Sequence, residues 1–298
     1  ILFLFSLIIF RRFTKTYFNE KIIDKEYKKV FREFFVFSLP LVFAGIVNQI
    51  FLWIDSITIG YFLGVEEVGF YNAAIPIVHL FTFAPAIFTK LFFPLITREF
   101  SKKKYGITKD ISQQVGKWIF MINFPLLILT LSFPEQIISL LFGKEFIVAA
   151  GSLRILAIGS FVLAQANISE KLILVAGKSK IILNAIVVTS VFGIILNILL
   201  VPRIGIEGAA LSTTIIYIIL SGLFLYQAKK NVFGIIPVRK KVLRIAVVSI
   251  FILAVLYVLK YLINLNLTSV MVIMLLTLIV YAILIVKTGC LDKNDLMV

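Results

Sequence analysis

The chain has 298 residues, of which 61% are hydrophobic and only 15% charged, with a mean hydropathy of +1.07. Soluble domains sit near 45–50% apolar and about 25% charged, so no water-soluble core of this length could hide so much apolar surface. The net charge of +15 comes from short Lys/Arg clusters between apolar runs rather than one basic stripe, which argues against nucleic acid as a partner.

The first run, ILFLFSLIIF (1–10), is shorter than the roughly 20 residues a crossing needs. Its basic pair, Arg11-Arg12, follows it, whereas a signal peptide carries its charge in front. It is expected to be the tail of a truncated transmembrane helix that begins upstream. Residues 11–34 form a basic cytoplasmic linker. Within it Ile23, Tyr27, Val30, Phe31 and Phe34 fall at helical spacing opposite a basic face. Two readings stay open: an amphipathic helix on the inner leaflet, or a solvated linker ending in a positive anchor. Both place a domain boundary there.

Eight apolar segments follow, at roughly 35–63, 68–97, 111–133, 148–176, 181–201, 207–227, 243–263 and 268–287. Each is long enough to cross the hydrocarbon as a helix, and none alternates as a barrel strand would. The expected fold is an all-α, polytopic integral membrane bundle of eight full helices plus the truncated first. Residues 35–227 make one six-helix unit, and 228–298 add two helices and a cytoplasmic tail.

Lys and Arg counts in successive connections alternate. Segment 11–33 has eight and 64–67 none; 98–110 has five and 134–147 one; 177–180 has two and 202–206 one; 228–242 has five, 264–267 none, and the tail from Lys287 two. Eight crossings of the cytoplasmic membrane with basic loops and C-terminus inside would produce this alternation.

Polar groups at membrane depth are costly and tend to face a protein interior or a wet cavity. Asp55 lies inside the first full helix, with Asn48 seven residues earlier on the same face and Gln49 beside it. Asp55 is a candidate for ion coordination or proton carriage, with a structural hydrogen bond as the alternative. The next helix carries Asn72, His79 and Lys90 on one stripe and three prolines, Pro76, Pro85 and Pro94, as candidate hinges beside a cavity. Lys90 has snorkelling to the cytoplasmic face as its alternative. Lys117 and Asn123 occupy the third helix; Arg154 and Gln165 share a face of the fourth. Lys117 and Arg154 are near enough to helix ends to be simple anchors. Taken together, Lys90, Lys117 and Arg154 suggest a cationic cavity for an anionic, phosphate-bearing lipid.

No catalytic set is expected. There is one His, and Cys290 is the sole cysteine, so no disulfide framework or cysteine metal site can form. No cofactor is expected beyond coupling to a Na⁺ or H⁺ gradient.

Several stretches resemble one known family. FSLPLVFAGIVNQIFLWIDSITIGYFLGVEEVGFYNAA (37–74), IISLLFGKEFIVAAGSLRIL (137–156), LVAGKSK (174–180) and VPRIGIEGAALSTTI (201–215) are similar to the second half of polysaccharide flippases, the O-antigen and teichoic-acid exporter group. Those proteins belong to the superfamily that includes multidrug and toxin extrusion transporters. The residues carrying the likeness are Ser38-Leu39-Pro40, Asp55, Gly60, Gly64 and Gly69-Phe70-Tyr71. The resemblance implies the second lobe of a two-lobe fold. It also implies a transporter that flips a lipid-linked oligosaccharide by alternating access for cell-surface polysaccharide biosynthesis. Membrane lipids and envelope polysaccharide assembly proteins would be its partners. The alternatives are a multidrug/cation antiporter of the same superfamily and a membrane-embedded polysaccharide polymerase or ligase.

NILLVPRIGIEGAALSTTI (197–215) interrupts the apolar pattern briefly. It is expected to be a compact outer hairpin rather than a phosphate-gripping loop. Pro202 would end one helix, Gly205 would permit the turn, and Glu207 would complement the next helix's positive end. Gly208, Ala209, Ala210 and Ser212 would let the two helices approach closely.

Overall fold

The computed structural model describes residues 24–232 and 267–287, together with Ile245, Val247, Ile252 and Leu256. The 1–10 stub, the linker up to residue 23, most of the expected crossing at 243–263 and the tail with Cys290 lie outside the described residues. In chain order the helices are α1 (Asp24–Phe62), α2 (Val65–His79), α3 (Phe83–Ser101), α4 (Tyr105–Ser132), α5 (Pro134–Phe142), α6 (Ala150–Val175), α7 (Ser179–Ile204), α8 (Ile206–Asn231) and α9 (Leu267–Lys287). Short 3-10 turns at Leu80–Thr82 and Lys144–Ala149 complete the described elements. Six stretches among these residues are long and apolar enough to cross a membrane, with α2 and α3 counted as one. The protein is an all-α, multi-pass membrane protein.

Short turns between packed helices reverse the chain at each crossing. The connections at 102–104, 176–178 and after Asn231 therefore lie at one end of the bundle, termed the basic end; those at 63–64, 133–149 and 205 lie at the opposite end. Helix α1 packs on α7, α7 on α8, α8 on α6, α6 on α4 and α4 on α3, while α2 crosses α6 and α1. Between helices in lipid the driving force is close packing, and small residues supply it. A Cβ added at Gly208 of α8 would sit 2.5 Å from the Leu200 carbonyl oxygen of α7, so this crossing tolerates no side chain there.

Three expected boundaries change. The described part of the linker, 24–34, is helical and continuous with the first crossing, because nothing there breaks the helix until Gly64, whose φ is +105°. The connection 134–147 is not a plain loop: Pro134 sits at the start of α5, where a missing N–H costs nothing, Glu135 follows in its first turn, and Gly143 with φ +102° ends it. Pro202 does not end α7, which runs on to Ile204. The stop is Gly205, whose φ of +75° lies in the left-handed region that glycine adopts without strain.

Of the expected hinges, Pro76 and Pro94 sit inside uninterrupted α-helix, whereas the break at Leu80–Thr82 lies just before Pro85. The cause is a count of donors. Proline has no N–H, so Pro85 leaves the Phe81 carbonyl without its helical partner. The Asn123 side chain of α4 fills the gap, its Nδ2 donating to Phe81 O at 2.9 Å, and both residues are almost wholly buried. Asn123→Leu is expected to lower stability by about 1–3 kcal/mol through that stranded carbonyl. Adding Pro85→Ala, which restores a backbone donor, should recover most of the loss; thermal unfolding in detergent checks both.

Candidate functional site

Three adjoining cavities, of about 520, 350 and 400 Å³, run along the bundle, and His79 and Tyr217 line all three. The break after α2 places His79 here, and α8 supplies Tyr217. The largest cavity lies toward the basic end and reaches Glu170 of α6; the 400 Å³ cavity lies toward the opposite end and reaches Asp55. Their walls come from α1, α2, α3, α6, α7 and α8, and together they form one groove, mostly apolar, into which the polar residues Asn48, Asp55, Asn72, His79, Glu170 and Tyr217 are set.

Four of the expected cavity residues meet there. Asn48 lines the 520 and 350 Å³ cavities, and Gln49 and Asn72 line the 400 Å³ one alongside His79. Asn72 also accepts a hydrogen bond from Ser56 at 3.1 Å. Of the prolines, Pro76 and Pro85 contribute to the walls.

Among the described residues, Lys90, Lys117 and Arg154 line none of these three cavities. Lys90 and Pro94 are exposed on α3, outside all three cavities. Lys117 is fully buried within α4. Arg154 is ion-paired with Glu135 of α5 at the opposite end, drawn there by the helix that the sequence reading treated as loop. Asn123 is committed to the Phe81 carbonyl, and Gln165, on the fourth full crossing, holds its Nε2 buried without a hydrogen-bond partner. Helical spacing had placed Lys90 with Asn72 and His79, and Arg154 with Gln165, but Lys90 stays exposed and Arg154 pairs with Glu135 instead.

Asp55 is buried and accepts three side-chain hydrogen bonds. Tyr71 Oη donates to Oδ2 at 2.6 Å, Thr213 Oγ1 to Oδ2 at 2.7 Å, and Asn197 Nδ2 to Oδ1 at 2.9 Å. These donors come from α2, α8 and α7, so one carboxylate on α1 ties four helices together. Asn197 Nδ2 also reaches the Gly193 carbonyl at 3.3 Å, which accepts from Ser212 as well, while Asn197 Oδ1 is buried without a partner. Tyr71, Asn197, Thr213 and Tyr217 were not among the site residues expected from sequence. A usable signal existed for two of them: Tyr71 lies in the Gly-Phe-Tyr step, and Asn197 interrupts an otherwise apolar run.

Residues 3–151 match the family described as polysaccharide biosynthesis protein. The chain belongs to that family. An uncharacterized membrane protein of Methanocaldococcus jannaschii is 28% identical over 221 residues, which are 73% of this chain and 43% of that protein. The teichuronic acid biosynthesis protein TuaB of Bacillus subtilis is 30% identical over 151 residues, 50% of this chain and 30% of its own length. Among solved structures, the lipid II flippase MurJ in an inward closed conformation matches with a TM-score of 0.65 at 18% identity, covering 86% of this chain and 54% of that one. At that identity the likeness is one of fold. The chain of this family member spans less than half the length of either curated relative.

The Asp55 cluster has a direct energetic consequence. Tyr71→Phe removes one hydrogen bond to a carboxylate and is expected to cost about 1.5–3 kcal/mol. Asp55→Ala strands three buried donors and should cost more, about 3–5 kcal/mol, readable in the same unfolding measurement.

Proposed function

We propose that this chain forms one half of a flippase that moves a lipid-linked oligosaccharide across the cytoplasmic membrane by alternating access. The observation that carries the reading is the groove and the polar side chains set into it, from Asp55 past His79 and Tyr217 to Glu170, between helices that are otherwise apolar. A sugar headgroup cannot cross hydrocarbon unaided, because its hydroxyls would lose their hydration without replacement. The polar side chains of the groove would supply replacement partners while the lipid tail stays in the bilayer. Membership of the polysaccharide biosynthesis family and a fold shared with a lipid II flippase support the same reading. The alternation of basic connections favours the basic end facing the cytoplasm. The break at Leu80–Thr82, beside the groove, is the point at which the wall would bend.

In this reading Asp55 couples movement to a Na⁺ or H⁺ gradient. What supports it is a concentration of hard oxygen atoms: the Asp55 carboxylate, Thr213 Oγ1, the Gly193 carbonyl and the unpartnered Oδ1 of Asn197. Asp55→Asn keeps the shape and removes the charge, so transport should lose its dependence on the gradient. Transport and ion dependence both unchanged in Asp55→Asn would end the coupling role.

The decisive assay places the full-length protein in liposomes with a fluorescent lipid-linked sugar in the inner leaflet. Arrival of the label at the outer leaflet, faster than in protein-free liposomes, is the expected result. Failure to move it beside efficient export of a cationic dye would replace this function with drug export.

A further inference from the structure

The flippase reading leaves open which part of a lipid-linked saccharide this half of the protein grips. The 520 Å³ cavity narrows the choice. Lys and Arg are absent from its described lining, and its ionisable groups are His79, Glu170 and Tyr217, with Glu170 bonded to Lys171 at 2.9 Å. A phosphate or pyrophosphate placed here would meet a carboxylate that already holds the Lys171 ammonium, and none of the uncommitted guanidinium or ammonium groups that anions select. The cations expected to serve it, Lys90, Lys117 and Arg154, are all outside this wall.

What the mostly apolar wall offers, at a few positions, is uncharged hydrogen-bonding capacity. Ser160 of α6 is 6% exposed, lines the cavity, and its Oγ has no hydrogen-bond partner. A buried hydroxyl left in that state costs free energy unless something occupies the cavity and completes it. One helix face below it, Asn167 accepts from Thr89 through Oδ1 at 2.8 Å, which commits its acceptor and leaves Nδ2 as its donor. Asn48 from α1 and Tyr217 from α8 line the same cavity and add an amide and a hydroxyl-bearing aromatic ring. Amides, hydroxyls and one carboxylate around an aromatic ring match a neutral polyhydroxy ligand: they exchange hydrogen bonds with its hydroxyls while the ring covers its C–H face.

We infer that the cavity bounded by Asn48, Ser160, Asn167, Glu170 and Tyr217 is a subsite for the uncharged sugar of the headgroup, not for its phosphate. The inference rests on the flippase reading, and the test separates the two. Full-length protein in nanodiscs is titrated with farnesyl pyrophosphate and with farnesyl pyrophosphate carrying N-acetylglucosamine, galactose or rhamnose. Ser160→Ala and Asn48→Ala should each weaken a glycosylated probe that the wild type binds by about tenfold, the loss of roughly one hydrogen bond. Binding of bare farnesyl pyrophosphate should be unchanged. Ser160→Ala removes an unsatisfied buried hydroxyl, so the ligand-free variant should unfold at the same or a higher temperature, which separates lost recognition from lost folding. Equal weakening of bare and glycosylated probes would assign the wall to phosphate and overturn the inference. Unchanged binding of every glycosylated probe in both variants would overturn it too, leaving the flippase reading standing. A wild type that binds none of the four probes would remove the flippase reading and the inference together.

Discussion

A carboxylate buried between helices that cross lipid must find hydrogen-bond donors, because neither bulk water nor the acyl chains can supply them. Asp55 meets that requirement with Tyr71, Asn197 and Thr213, one from each of three other helices. Each of the four residues sits six or seven positions from the same end of its helix, about 10 Å along the axis at 1.5 Å per residue. The cluster therefore sets the relative depth of α1, α2, α7 and α8 at that end. The groove opens below it, toward the basic end, between helices whose upper portions it holds together. Close contact at Gly208 lets α7 and α8 present Asn197 and Thr213 to the same carboxylate.

The second constraint is the backbone itself. In lipid every carbonyl needs a partner, and most hydroxyls here bond to their own helix, as Thr58 does to the Ile54 carbonyl and Thr189 to the Ala185 carbonyl. Phe81 is the exception that shapes the site. Its carbonyl loses the Pro85 donor and takes one from Asn123 on a different helix, so the break in the α2–α3 crossing is held in place. His79, immediately before that break, consequently lines all three cavities.

The charged residues are distributed by the same economy. Arg154 is neutralised by Glu135 near a helix end, and Lys90 remains exposed. The groove is left with mostly apolar walls that carry amides, hydroxyls, one histidine and two carboxylates, Asp55 and Glu170. A wall of that kind can replace the hydration of an uncharged polar solute without holding an anion so firmly that release becomes slow.

Hydropathy and length were enough to establish the all-α, membrane-crossing architecture, because a crossing helix satisfies its own backbone and needs only about 20 apolar residues in a row. The crossings among the described residues lie close to where the apolar runs place them, and Asn72 and His79 line one cavity together, since residues seven apart on a helix share a face. Which neighbour each face meets is a different matter. Arg154, Lys117 and Asn123 were equally polar on paper, yet one pairs with Glu135, one is enclosed in α4 and one serves the Phe81 carbonyl. Asn197 and Thr213 lie 142 and 158 positions from Asp55, and no local pattern joins them to it. Periodicity along a helix is local and can be read in one dimension; the pairing of polar groups between helices depends on crossing geometry and depth, and only the packed bundle decides it.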